Sequence, residues 1–110
     1  MKYKLLVLDV DGTLLNYEKE ISKRTLASLL KVQQMGTRIA LASGRPTYGL
    51  MPLAKILELG NYGGFIVSYN GCQIINAQNG EILFERRINP EMLPYLEKKA
   101  HKNGFAIFTY

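Results

Sequence analysis

The stretch Leu5-Leu6-Val7-Leu8-Asp9-Val10-Asp11-Gly12-Thr13-Leu14-Leu15 decides the fold. Residues 3–8 lack polar alternation, the pattern of a parallel strand covered on both faces, and the two acids with Gly12 break that run. In an extended chain Asp9 and Asp11 project to one side while Val10 turns inward. Two carboxylates that close repel each other and need a cation or a shared proton. A hard divalent ion such as Mg2+, with oxygen ligands and retained waters, answers that need. Gly12 lets the chain turn sharply or leaves its amide open to an anion, and Thr13 adds a hydroxyl and an amide. Taken alone, the Asp-Val-Asp-Gly run fits a solvated strand end equally well, because Asp and Gly are ordinary turn residues. A calcium loop is rejected: Gly12 follows the second acid directly, and Glu20, at the twelfth position from Asp9, is an isolated match.

Further along, Ser22 suits the N-cap of a helix in which Leu26, Leu29 and Leu30 share a face, with Gly36 just past its end. Residues 38–42 read as a second apolar strand, ended by Ser43-Gly44-Arg45-Pro46. Leu50, Leu53, Ala54 and Leu57 recur at helical spacing, Gly60 closes that helix, and residues 65–68 form a third strand. Asn70-Gly71 and Asn79-Gly80 are tight-turn dipeptides beside residues 72–75 and 81–84, which read as antiparallel strands. Asn89-Pro90-Glu91 starts a helix with a cap, a proline and an acid in its first turn. Met92, Leu96 and Ala100 form its apolar stripe, Gly104 ends it, and residues 105–110 read as one more strand. This order specifies an α/β fold whose first half is a doubly wound parallel unit with right-handed crossovers. Such sheets bind ligands beyond the carboxyl ends of their strands, where residues 9–13 and 43–46 fall.

Bulk properties narrow the field. The 110 residues suffice for one small domain with a core, and 47% hydrophobic with 21% charged residues is ordinary for a globular chain. No apolar run approaches the ~20 residues that span a bilayer, so no membrane partner is expected. Asp9 and Asp11 interrupt any leader-like stretch. Cys72 is the single cysteine, which excludes an internal disulfide and fits a reducing, cytoplasmic setting; it reads as a packed strand residue. The net charge of +5 is spread from Lys2 to Lys102, with short clusters only at Arg86-Arg87 and Lys98-Lys99, so no nucleic-acid partner is expected. His101 lies among lysines on a solvated helix face. Without its neighbours Ser43 is a loop serine, and Arg45 reads equally as a solvated loop residue or a helix-start residue.

The context of these stretches resembles a known family. Residues 9–15, directly after an apolar first strand, are similar to the first motif of the haloacid dehalogenase superfamily. Leu41-Ala42-Ser43-Gly44-Arg45-Pro46 looks like its second motif, in the form used by Cof-type sugar-phosphate phosphatases. Tyr69-Asn70-Gly71 followed by a hairpin resembles the segment that precedes the cap in that branch. The resemblance implies that Asp9 is a nucleophile forming an aspartyl-phosphate, and that Asp11 is the acid and base serving the leaving group and the water. It implies Mg2+ held by the Asp9 carboxylate and the Asp11 carbonyl, and a small phosphorylated metabolite as substrate. It places Gly12, Thr13, Ser43, Gly44, Arg45 and Asn70 around the phosphate or substrate.

The same resemblance sets expectations about extent. The family needs a later Lys and a Gly-Asp-x-x-x-Asp stretch, and neither occurs in these residues. The chain is therefore expected to be an N-terminal portion, weakly active or inactive by itself, or else a non-catalytic module that binds Mg2+ and phosphate. Residues 1–84 are expected to form an incomplete Rossmann-like three-layer core, a parallel sheet with helices on both faces plus a hairpin. Residues 85–110 would begin an α+β cap with a helix and a strand. In this superfamily the first strand lies mid-sheet; lacking one neighbour, residues 5–8 become an open edge, which predicts a homo-oligomer covering it or a poorly folded fragment.

Overall fold

A computed structural model describes residues 2–110. The elements run β1 (Leu5–Asp9), α1 (Lys23–Gln34), β2 (Arg38–Ala42), α2 (Thr47–Ile56), β3 (Phe65–Ser68), β4 (Gln73–Asn76), β5 (Ile82–Glu85) and α3 (Leu93–Lys102). Short 3-10 turns occupy Leu59–Tyr62, Tyr69–Gly71 and Pro90–Met92. The five strands make one sheet in chain order, with β1, β2 and β3 parallel and β4 and β5 antiparallel. The hairpin thus extends the parallel unit instead of forming a separate layer.

Local chemistry places these elements. The Ser22 hydroxyl accepts from the Thr25 amide at 3.2 Å and caps α1, and Gly36, at φ +96, turns the chain off its far end. Asn89 caps the turn before α3 by accepting from the Glu91 amide at 3.1 Å. The strand alternation sorts the sheet into two faces. Leu6, Leu8, Ile39, Leu41, Ile66 and Ile75 share one, where they pack with Leu29 of α1 and Leu50 and Ala54 of α2. Buried Gln33 of α1 donates to the Leu57 carbonyl beyond α2 at 2.8 Å and ties the two helices together.

The sequence reading expected helices on both faces; α1 and α2 lie on one. The reason is handedness. Strands added in a constant direction by right-handed crossovers bring every connecting helix to the same side. A helix reaches the other side only where the strand order reverses from β1, and no such strand occurs among the described residues. On the opposite face Leu5 and Val7 are accordingly 48% and 55% exposed, so β1 alternates in burial where uniform burial was expected. As expected, β1 is an edge, paired only with β2 among the described residues.

Two further expectations need correction. Residues 105–110 pair in no strand among the described residues, because a strand needs a neighbour, and they end with Tyr110 against the rings of Tyr48 and Tyr69. Cys72 is exposed and precedes β4. The left-handed run at Tyr69, Asn70 and Gly71 (φ 51, 55 and 91) delays that strand by one residue. Helix α3 buries none of its residues. The Cα radius of gyration of 16.6 Å, against about 13 Å for a compact chain of this length, fits such a helix standing clear of the body.

Gly64 is the tightest point in the core. A Cβ there would meet the Ile39 carbonyl oxygen at 2.7 Å and Leu59 at 3.0 Å. Gly64→Ala must push β3 away from β2, and is expected to cost about 1–3 kcal/mol, read as a lowered urea midpoint.

Candidate active site

At the end of β1 the chain folds over one buried side chain. The Val10 carbonyl accepts from the Thr13 amide (3.3 Å) and the Leu15 amide (3.0 Å), and the Asp9 carbonyl accepts from the Leu14 amide (3.2 Å). Val10, Leu14 and Leu15 are buried, while Asp9, Asp11, Gly12 and Thr13 are exposed. Gly12, at φ +78, takes the left-handed conformation that closes the loop. The Thr13 hydroxyl donates to Asp9 Oδ2 at 3.0 Å.

A second loop stands beside it. Asp9 lies opposite Ala42 in the parallel ladder, so Ser43 leaves β2 next to the tip of β1. This loop is fixed to β3: the Ser43 amide donates to the Val67 carbonyl (3.0 Å), the Asn70 amide to the Ser43 carbonyl (3.1 Å) and the Tyr69 amide to the Arg45 carbonyl (3.0 Å). The Ser43 hydroxyl accepts from the Arg45 amide at 3.1 Å, which leaves its own proton for another acceptor. The Asn70 amide group lies over Gly44, where a Cβ would come within 2.9 Å of Asn70 Oδ1.

Arg45 joins the two loops. Its Nε donates to Asp11 Oδ2 at 2.8 Å and its Nη2 to Asp11 Oδ1 at 2.6 Å. These bonds hold the Asp11 carboxyl below the ordinary carboxylate range, opposed by desolvation and aided by the charges of Arg45 and Lys19. The same bonds push the Arg45 guanidinium up.

The residues singled out in the sequence therefore fall into four pairs: Asp9 with Thr13, Asp11 with Arg45, Ser43 with the Arg45 amide, and Gly44 with Asn70. Gly12 forms the open rim. For a metal ion the offered groups are oxygens. One Asp9 oxygen has no protein partner among the described residues, and no main-chain amide there donates to the Asp11 carbonyl. Hard oxygen donors of this kind suit Mg2+, which keeps waters and takes only one or two carboxylates. No group of three or more His, Cys, Asp or Glu side chains clusters as a closed cage among the described residues.

The site is an open surface at the strand ends. A groove runs elsewhere, along α2 past Met51, Pro52, Lys55, Ile66 and Ala77, and none of residues 9–13 or 43–45 lines it. Sequence reasoning missed the side chains behind the second loop: Thr47 hydrogen-bonds Ser68 and Gln73, residues 21 and 26 positions away. Polar partners so far apart leave no periodic signal. Thr47, at a helix start straight after Pro46, was the one local hint.

The chain is similar in sequence and fold to known proteins. Residues 6–110 match the model of a family described as haloacid dehalogenase-like hydrolases. The crystal structure of a haloacid dehalogenase-like hydrolase from Bacteroides thetaiotaomicron is 50% identical in sequence and superposes with a TM-score of 0.89, over 98% of this chain and 41% of its own. The 5-amino-6-(5-phospho-D-ribitylamino)uracil phosphatase YcsE of Bacillus subtilis is 32% identical over 107 residues, 94% of this chain and 41% of its own. The HMP-PP phosphatase of Cronobacter sakazakii is 30% identical over 89 residues, 81% of this chain and 31% of its own. The chain spans less than half the length of each.

Removing the guanidinium should release Asp11. Because Arg45 lowers the carboxyl pKa, Arg45→Ala is expected to raise it toward the ordinary value, followed by an NMR pH titration of the Asp11 carboxyl carbon.

Proposed function

We propose, because the chain belongs to the haloacid dehalogenase-like hydrolase family, that it carries the nucleophile and phosphate loop of a Mg2+-dependent phosphatase of small phosphorylated metabolites, sugar phosphates among them. The observation that carries this is a carboxylate with one free oxygen at the tip of β1, beside the Ser43 hydroxyl loop and an arginine. The names of two relatives, each a phosphatase of a phosphorylated small molecule, support the substrate class.

In this reading Asp9 attacks phosphorus, and the bond from phosphorus to the leaving oxygen breaks. Asp11 gives that oxygen its proton, then takes one from the water that hydrolyses the aspartyl-phosphate and frees inorganic phosphate. Thr13 orients Asp9 through its hydroxyl. Ser43 donates to a phosphoryl oxygen, and the Gly12, Gly44 and Asn70 rim admits the group. Arg45 has two acceptors to choose between, Asp11 and the phosphate. While it clamps Asp11 it keeps that carboxyl ionised, so proton donation requires the guanidinium to move to the substrate. Mg2+ held by Asp9 and the Asp11 carbonyl supplies charge neutralisation on the phosphoryl group.

The core and cap division at residues 84 and 85 belongs to this reading, supported by an α3 that buries nothing. So does a cytoplasmic setting; no helix among the described residues is long and apolar enough to cross a membrane. A second reading, a non-catalytic module binding Mg2+ and phosphate, draws on Arg45 occupying Asp11 and on the lack of a closed carboxylate cage among the described residues.

The test uses p-nitrophenyl phosphate and Mg2+ with trapping and peptide mapping. A phosphoryl group is expected on Asp9 and absent in Asp9→Asn. An unlabelled wild-type chain that still binds Mg2+ and phosphate by calorimetry would favour the second reading. For the open edge of β1, unpaired backbone groups support a second copy as its cover. Light scattering should then show a mass above that of one 12.4 kDa chain, and a monodisperse monomer at high concentration overturns this.

A further inference from the structure

Behind the second loop, five side chains form an unbroken hydrogen-bonded file. The hydroxyls of Thr47 and Ser68 lie 2.6 Å apart, and Thr47 also donates to Gln73 Oε1. Gln73 Nε2 donates to Glu85 Oε1 at 2.7 Å, and Arg87 Nη2 reaches the same oxygen at 3.2 Å. Ser68 is fully buried, and Thr47 and Gln73 are half-buried.

Proton counting gives the file a direction. Thr47 has one hydroxyl proton, and it goes to Gln73, so Ser68 donates to Thr47. The Gln73 head then accepts from a hydroxyl on one side and donates to a carboxylate on the other. Glutamine does both without taking up a proton; an ionised glutamate has no proton for Glu85, and methionine or leucine satisfies neither neighbour. Glu85 is the more firmly ionised for it, held low first by Arg87 and then by Gln73.

Each end of the file has a place in the fold. Thr47 opens α2 two residues after Arg45, whose carbonyl and amide already bind the loop to Tyr69 and Ser43. Glu85 closes β5, and Arg87 lies on the segment leading toward α3. The file therefore spans from the loop of residues 43–45 to the exit from the sheet, a distance no backbone pairing bridges directly.

We propose that Gln73 is a positioning residue: it fixes Thr47, hence the loop of residues 43–45, and couples that loop to the segment at Glu85 and Arg87. Its consequence for phosphate rests on the reading of Ser43 and Arg45 given above; its geometric claim does not. Movement of the segment toward α3 is thereby felt at the phosphate loop, and occupancy of the loop is felt at Arg87.

The experiment reads the backbone amides of Ser43, Gly44, Arg45 and Thr47 by NMR in the 110-residue chain, with inorganic phosphate plus Mg2+ as the probe. Gln73→Leu is expected to shift these amides and to weaken phosphate binding by about tenfold, a size typical of coupling within one network. Arg87→Ala should move the Thr47 amide in the wild-type background and leave it still in Gln73→Leu. Unmoved loop amides in Gln73→Leu, or an Arg87→Ala effect equal in both backgrounds, overturn the proposal. Failure of the wild-type chain to bind phosphate refutes the phosphate reading and leaves the amide comparison to decide this one. Should far-UV circular dichroism show Gln73→Leu unfolded, Glu85→Gln carries the test: a shifted Thr47 amide supports the file, and an unshifted one overturns it.

Discussion

The burial of Val10 is the constraint on which the rest of the site depends. With this side chain at 0% exposure, its neighbours on either side have nowhere to point but outward. Its carbonyl accepts two amides from the following loop, and Leu14 and Leu15 bury themselves to close the same turn. Two acids that repel are thereby kept at one strand end by hydrophobic burial, which neither of them opposes while exposed. Thr13 and Arg45 then supply the donors that each carboxylate lacks. Apolar packing sets where the charges stand, and polar contacts set how they are aimed.

The bidentate pair between Asp11 and Arg45 aims more than it stabilises. Both side chains are substantially solvated, Asp11 at 55% and Arg45 at 32% exposure, and such pairs contribute little to folding. The sign follows from the lowered Asp11 carboxyl: whatever stability the pair adds is present above the unfolded-state value and is lost as pH falls through the folded one. Its larger effect is to bind the loops after β1 and β2 into one surface. In the proposed reading a dianionic phosphate competes for the same guanidinium, so the pair is there a resting arrangement that the charge of the ligand opens.

Much of this was legible in the residues. The uninterrupted apolar run before Asp9, the Ser22 cap and the Asn79-Gly80 turn each carry a local physical signal and placed their elements within a residue or two, whereas α2 stops at Ile56, short of Gly60, and Asn89 caps a 3-10 turn ahead of α3. The reading went astray where the outcome depended on distant partners. Residues 105–110 have strand-like side chains but no ladder to join among the described residues. The open face beside Leu5 and Val7 follows from crossover handedness, a property of the whole topology. Motif residues carry the proposal of which groups meet a phosphate, while the grip of Arg45 on Asp11 and the file through Gln73 depend on rotamers and on contacts of 12 to 34 residues in separation, which leave no periodic signal along the chain.

The chain-order arrangement of the sheet has a consequence for synthesis. Among the described residues every strand after β1 pairs with the one made just before it, through long helical crossovers to β2 and β3 and short turns to β4 and β5, so each addition joins a surface already present. The parallel pairings, such as Leu5 with Arg38 and Ala40 with Phe65, join residues far apart in sequence and are slow to close, and they proceed in the direction in which a ribosome releases the polypeptide. Each later strand of the five finds a template waiting, and among the described residues β1 keeps its outer rim available throughout.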